Sequence, residues 1–299
     1  MISVVIPVMN EAENIQNLIP KIYDLNYPLE VLLIDVKGGS TDDTREIVKN
    51  FRNNDNYKNL NLISQTGTGF ANALIEGLKS AYGEIIVTMD AENHLPEEIP
   101  LLINRLREEN ADVVVGSRFL KDSKVDLDKK RLIPSKIANK IARASLRLKI
   151  EDCSSGFRAY RASKIQNALE NMKTRYFSVQ VEILDRVSEA GGKLLEMPCT
   201  YVARESGESK YNFKPAIKDG MNILKIAKDH QVEGIKSRID SKIDDVKEKA
   251  NAVRGKTEGA EGYFKDKFKD MQIGVDMVKT KSQHIFKSKF KDKFKNKFK

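Results

Sequence analysis

The chain has 299 residues, 40% hydrophobic and 32% charged, enough for one sizeable α/β domain with an appendage or for two small domains. Its two cysteines, Cys153 and Cys199, lack CxxC spacing, which argues against a disulfide framework or a zinc site and makes a reducing cytosol the expected compartment. Of the formal net charge of +9, nine lysines against Asp276 and Asp292 put most in residues 271–299, so the charge belongs to a tail and a general basic surface for nucleic acid is not supported.

The opening, MISVVIPVMNEAEN, goes straight into a strand over residues 3–8 and then an acidic turn, without the basic start and apolar stretch of a signal peptide. No run of eighteen apolar residues occurs, so no spanning helix is expected. Residues 11–25 carry Ile15, Leu18, Ile19 and Ile22 at helical spacing. A second strand over 31–34 runs into Asp35-Val36-Lys37-Gly38-Gly39-Ser40-Thr41-Asp42, glycine-rich and ending in helix-capping residues before a helix over 44–51. Backbone amides at such a turn can meet a phosphate or a nucleoside, although most such turns are only turns. Strand 60–64, a loop and helix over 67–81, strand 85–89, helix 97–108 and strand 113–116 follow. Four βα units in a row imply a doubly wound parallel sheet.

The stretch GEIIVTMDAENHLP at 83–96 is central. A buried, mostly β-branched run ends in Asp90-Ala91-Glu92, followed by Asn93 and His94. Paired carboxylates at the C-terminal edge of a parallel strand fall where open α/β sheets bind ligands. Hard oxygen ligands with an open side suit Mg²⁺ or Mn²⁺ shared with nucleotide phosphates. A lone Asp-x-Glu is more often a solvated turn capping the next helix, so other segments decide.

Beyond residue 116 the pattern loosens. A charged loop over 120–130 precedes a basic amphipathic helix over 131–148, with Ile133, Ile137, Ile141 and Leu148 among its apolar positions. Then come Glu151 to Tyr160 (EDCSSGFRAY), a helix from Ser163, and a helix lined by Phe177, Val181 and Leu184 that carries Glu182. A late strand over 194–202 leads to a polar loop at 204–211.

Together these residues resemble a family 2 glycosyltransferase with the GT-A fold, on the side of the polyprenol-phosphate sugar synthases. The likeness spans about residues 1–225. It rests on VVIPVMNEAENI, GGSTDDT, MDAENHLPEE, GSRF at 116–119, Arg131 with Ser135, SGFRAY at 155–160 and GESK at 207–210. No single motif is specific; seven in order and at matching spacing are. The resemblance implies that Pro7, Asn10 and Glu11 hold the nucleotide base and ribose, and that Asp90 and Glu92 bind the metal with Asn93 as a third ligand. It implies that Arg118, Arg131 and Ser135 hold an acceptor phosphate, and that Arg204 and Lys210 close over the donor diphosphate. Two departures stand out. Lys37-Gly38-Gly39-Ser40 replaces the usual Asp-Asp-Gly-Ser, so the aspartate that meets the base is displaced to Asp35 or missing. The metal motif is one residue short and uses Glu92 for an aspartate.

The implied function is metal-dependent transfer of a hexose, with inversion, from GDP-mannose or UDP-glucose to dolichyl or polyprenyl phosphate. A lipid phosphate is already an anionic nucleophile, so alignment and leaving-group stabilisation suffice. A hydroxyl acceptor would need a base, and Asp152 stands where the wider family keeps one. A membrane-bound scaffold without catalysis is a third reading. The GT-A domain is expected over 1–230 and a basic tail, helical or disordered, over 231–299. In that tail Phe264 and Phe268, then Phe286, Phe290, Phe294 and Phe298, recur at four-residue spacing among lysines. A helix of this pattern presents an apolar stripe to an anionic membrane surface, and a peripheral enzyme on the cytosolic face is the expectation.

Overall fold

The computed structural model describes residues 1–127, 129–174 and 178–202, with Asn222, Lys225, Ile226 and Asp244; for Lys129, Lys130, Arg131 and Pro134 it describes the backbone only. The expectations on Phe177, on Arg204 and Lys210, and on the 231–299 tail lie outside the described residues, apart from Asp244 itself.

The strands are β1 (Ile2–Val8), β2 (Leu29–Asp35), β3 (Leu60–Ser64), β4 (Ile85–Thr88), β5 (Val113–Ser117), β6 (Lys124–Val125), β7 (Arg158–Arg161), β8 (Leu194–Pro198) and β9 (Thr200–Tyr201). Seven make one sheet in the order β3-β2-β1-β4-β7-β5-β8, and β6 pairs with β9 apart from it. β1, β2, β4 and β5 are nearly continuous buried apolar runs, as strands covered on both faces must be. Alternate residues feed two cores. Val4, Ile6 and Val8 face one layer and Val5 the other.

The helices are α1 (Ala12–Tyr23), α2 (Thr44–Arg52), α3 (Phe70–Ser80), α4 (Ile99–Glu108), α5 (Lys129–Leu146), α6 (Ala162–Ile165) and α7 (Val179–Glu189). Ile15, Leu18, Ile19 and Ile22 of α1, Val48 of α2 and Leu102, Ile103 and Leu106 of α4 build the first core. Residues of α3, α5, α6 and α7 build the second. The mostly parallel, helix-flanked sheet expected from the sequence is thus present.

Three details differ from expectation. The sequence assigns no strand to residues 158–161 and expects a helix from Ser163; β7 is a strand inserted antiparallel between β4 and β5, and the helix after it is one turn long. Its sequence, Arg-Ala-Tyr-Arg, hides this because the fully buried Arg158 breaks the apolar pattern. The late strand divides at Pro198 into β8 and β9, since proline ends the ladder. On α5, Ile133, Ile137 and Ile141 are 55%, 55% and 40% exposed, while Asn139 and Ala142 face inward.

Candidate active site

Parallel strands put their C-terminal ends along one edge of the sheet, and β7, running the other way, begins at that edge. The loops after β1, β2, β4 and β5 therefore meet the loop before β7 there. The chain order reverses between β1 and β4, the switch point where open α/β sheets bind ligands.

On the β1–β2 side, Pro7 lies in register with Ile34, and Asn10 and Glu11 follow the strand. Asn10 adopts φ +56°. Its backbone N–H donates to Ser40 Oγ at 3.0 Å, and its side-chain Oδ1 accepts from Thr41 N at 2.8 Å. The N–H groups of Glu11 and Ala12 donate to Thr44 Oγ1 and Asp42 Oδ2. The two loops are stitched into one surface. Asp35, expected as a displaced base-contacting residue, is instead fully buried within it. Its Oδ1 accepts from Val36 N, Ser40 N and Ser40 Oγ, and its Oδ2 accepts from Arg45 Nε at 2.7 Å. Its carboxylate shapes the turn rather than facing outward. Gly39, at φ +91°, lies against the Arg45 guanidinium.

At the end of β4, the Asp90 side chain is 35% exposed, and Glu92 is half-buried beside the buried Ala91. Backbone N–H of Asp90 donates to His94 Nδ1 at 3.2 Å. His94 is buried, stacked on Phe157 with ring centroids 5.0 Å apart and edge-on to Tyr201. Burial holds its pKa below the ordinary histidine value, against the pull of Asp90. With Nδ1 accepting, the ring is neutral and its proton sits on Nε2. It shapes the loop as a wedge rather than as an ion-pair partner.

The donor set suits a hard divalent cation in part. Among the described residues no group of three or more His, Cys, Asp or Glu converges, which leaves the Asp90 and Glu92 carboxylates as candidate donors. One or two carboxylates are the usual protein share for Mg²⁺ held with substrate phosphates. Gly156 keeps room there: a Cβ on it would lie 3.1 Å from Asp90 Oδ1. Asn93, expected as a third ligand, is buried with its side-chain amide engaged by the strap at 200–202. Its Nδ2 donates to Val202 O at 2.9 Å, and its carbonyl accepts from Val202 N. The strap at 200–202 holds it.

At the end of β5, Arg118 meets Asp152 in a two-pronged pair. Nε lies 2.7 Å from Oδ2 and Nη2 2.8 Å from Oδ1, and Arg118 N–H also donates to Oδ2. Nη2 further donates to Ser154 Oγ at 2.9 Å, and the guanidinium sits by the rings of Phe119 and Tyr201. Despite burial, the Arg118 charge and these hydrogen bonds hold Asp152 below the ordinary carboxylate value, and Asp152 raises Arg118. Glu196 of β8 accepts from the N–H groups of Glu151 and Asp152, fixing the loop from beneath. Ser135 lies on α5, its carbonyl bonded by Asn139. The Arg131 side chain lies outside the described residues.

The edge thus brings together Pro7, Asn10, Glu11, Asp90, Glu92, Arg118 and Asp152. Sequence reasoning missed Asn139, Ser154, Phe157 and Tyr201. Each is a single residue whose role appears only once β7 folds back, and no spacing announces it.

A doubly wound, mostly parallel sheet with an acidic loop at its switch point is the architecture of the GT-A glycosyltransferase fold. The chain belongs to glycosyl transferase family 2, whose model matches residues 3–169. It resembles the polyprenol-phosphate sugar synthases. An undecaprenyl-phosphate mannosyltransferase of Micrococcus luteus is 29% identical over 242 residues, 79% of this chain and 97% of that one. A dolichol-phosphate mannosyltransferase of Pyrococcus furiosus is 31% identical over 231 residues, 76% of this chain and 64% of that one. Among solved structures, glucosyl-3-phosphoglycerate synthase from Mycobacterium tuberculosis, with Mn²⁺, UDP and phosphoglyceric acid, shares the fold at TM-score 0.56 and 19% identity, covering 75% of this chain and 76% of that one.

Proposed function

We propose that this glycosyltransferase moves a hexose, mannose or glucose, from a nucleotide sugar to polyprenyl or dolichyl phosphate, with inversion at the anomeric carbon. The observation that carries this reading is the Arg118–Asp152 pair. Asp152 is fully buried, its acidity is raised, and its oxygens are occupied by Arg118. A carboxylate so held is a poor proton acceptor, which weighs against a hydroxyl nucleophile that needs a base. Its effect is to fix the guanidinium, whose Nη1 donors meet no acceptor among the described residues. A fixed guanidinium with free donors matches a phosphate, which needs no deprotonation.

In this reading the acceptor phosphate binds at Arg118 and Ser135, with Arg131. One of its oxygens attacks the anomeric carbon as the bond from that carbon to the diphosphate breaks, and the nucleoside diphosphate departs with the bonding electrons. Pro7, Asn10 and Glu11 hold the nucleoside on the loop pair that Asp35 and Gly39 shape. Arg204 and Lys210 are assigned to the diphosphate by motif alone. Asp90 and Glu92 would hold Mg²⁺ or Mn²⁺, which when bound neutralises charge on the leaving diphosphate. Relatives are named as undecaprenyl-phosphate and dolichol-phosphate mannosyltransferases, and solved neighbours include complexes with Mn²⁺ or Mg²⁺ and UDP, in line with this assignment.

A lipid acceptor calls for an enzyme at a bilayer. Among the described residues no helix is long and apolar enough to cross one. The exposed Ile133, Ile137 and Ile141, on a helix with six lysines and arginines and no acidic residue, support peripheral attachment on the cytosolic face, with the Phe-Lys tail as a second anchor.

The test is transfer of label from GDP-mannose or UDP-glucose, in separate reactions, to dolichyl phosphate in anionic liposomes with Mg²⁺ or Mn²⁺. Label entering the organic phase with one donor, and lost in Asp90→Ala, is expected. No label with either donor, although the protein binds the liposomes, would overturn the reading.

A further inference from the structure

We propose that Asn139 is a positioning residue that sets the spacing between Arg118 and helix α5, and through it the affinity for the acceptor phosphate. This rests on the lipid-phosphate reading above and adds a residue that the motifs do not assign.

Asn139 is 3% exposed, and every polar bond recorded for its side chain stays within the site. Nδ2 donates to Ser135 O at 2.9 Å and to Ser154 Oγ at 2.8 Å, and Oδ1 accepts from Ser154 N at 3.0 Å. Ser154 in turn accepts from Arg118 Nη2 at 2.9 Å and donates from Oγ to Asp152 Oδ1 at 3.2 Å. One amide therefore joins two separate supports. On one side is α5, where Ser135 precedes Asn139 by one turn and Arg131 by two. On the other is the loop that orients Arg118.

The chemistry of the joint is demanding. Ser154 offers an N–H that needs an acceptor and a hydroxyl oxygen that takes a donor, both on the same residue. Only a primary amide of this length supplies donor and acceptor side by side. Aspartate has no donor when ionised, and glutamine is one methylene too long to keep α5 at the same distance. A phosphate bound by several cations is sensitive to their separation, because each must reach its oxygens at once. Asn139 does not need to touch the phosphate for this effect. It controls where two of its ligands stand.

The experiment is steady-state transfer with the full chain, varying polyprenyl phosphate and nucleotide sugar separately, for wild type, Asn139→Ala, Asn139→Asp, Ser154→Ala and the Asn139→Ala/Ser154→Ala pair. We expect the acceptor KM to rise about tenfold or more in each single variant, with donor KM within about twofold of wild type. The double variant should be no worse than either single one, since both break the same link. Equal rises in donor and acceptor KM, or a lower melting temperature with both KM values unchanged, would overturn the proposal. So would multiplicative losses in the double variant. Ser154→Ala probes the link from the loop side, where the residue is only partly buried, should Asn139→Ala fail to fold. Wild type that binds nucleotide sugar but never labels polyprenyl phosphate would instead overturn the acceptor reading, a result distinct from an insensitive Asn139.

Discussion

The carboxylate of Asp152 meets the guanidinium of Arg118 edge to edge, with Nε to Oδ2 at 2.7 Å and Nη2 to Oδ1 at 2.8 Å, both groups withdrawn from solvent. Their positions follow from topology. Arg118 is the first residue past β5, and Asp152 belongs to the loop that enters β7, the antiparallel neighbour of β5. The pair turns an acidic residue that reads as a base into the mount for a cation. Because the folded-state pKa of Asp152 is depressed, its stabilising contribution is complete above the ordinary carboxylate range and is lost only as pH falls through the folded value.

Asp152→Asn is therefore expected to destabilise the protein by about 3–5 kcal/mol, since it strands a buried guanidinium. Transfer should fall by roughly two orders of magnitude through the loss of Arg118 orientation. The pH–rate profile between about pH 5 and 9 should keep its shape in the variant, because Asp152 does not titrate there. Chemical unfolding and the pH dependence of kcat check this together. An acid limb present in wild type and absent in Asp152→Asn would restore Asp152 as a base and a hydroxyl as acceptor.

Gly156 faces Asp90 across the site. A methyl group there would press on Asp90 Oδ1 from 3.1 Å, closer than most real neighbours sit. The loop has little freedom to retreat, because Thr88 Oγ1 donates to Gly156 O at 2.7 Å. Gly156→Ala should raise the Mn²⁺ concentration for half-maximal activity about tenfold, while leaving the acceptor KM near wild type. Titration of activity with Mn²⁺ measures it. An unchanged half-saturation would remove Asp90 from the metal.

Asn93 gives the opposite expectation. Its amide serves Val202, and replacing it by alanine leaves the partly buried Val202 carbonyl without its donor, at a cost of about 1 kcal/mol. Thermal unfolding should shift downward while the Mn²⁺ half-saturation stays fixed. A rise in metal requirement matching that of Asp90 variants would return Asn93 to the ligand set.

The parallel half of this fold is written plainly in the sequence. Residues such as Val4 to Ile6 and Val31 to Ile34 are buried on both sides and so form unbroken apolar runs, which periodicity detects. The ends of those runs mark the loops, so the sequence alone places Asn10, Asp90 and Arg118 along one edge. β7 was hidden because its stability comes from strands on both sides and from Arg158 bonding to the carbonyls of Cys153, Ser155 and Gln180. No local property of Arg-Ala-Tyr-Arg reports that. The direction of Asn93 and the withdrawal of Asp35 were invisible for the same reason. Each is decided by a partner distant in sequence or by a turn geometry that single residues do not specify.

The loop after β2 offers a matched pair of substitutions. Gly38 and Gly39 both occupy the left-handed region, at φ +88° and +91°, so alanine at either costs about 1–2 kcal/mol in backbone strain. Their surroundings differ. Nothing lies within 4 Å of a Cβ on Gly38, whereas one on Gly39 would overlap the Arg45 guanidinium. Arg45 can swing away, since its side chain is partly solvent-exposed, but doing so breaks its bond to Asp35 Oδ2 and to Ser64 Oγ. Asp35 would then lose the cation that balances its buried charge, and the turn that presents Ser40 to Asn10 would loosen. Gly39→Ala should thus lower the melting temperature more than Gly38→Ala, and only Gly39→Ala should raise the KM for the nucleotide sugar, by about tenfold. Equal donor KM values in the two variants would mean that the Asp35–Arg45 brace does not reach the nucleotide.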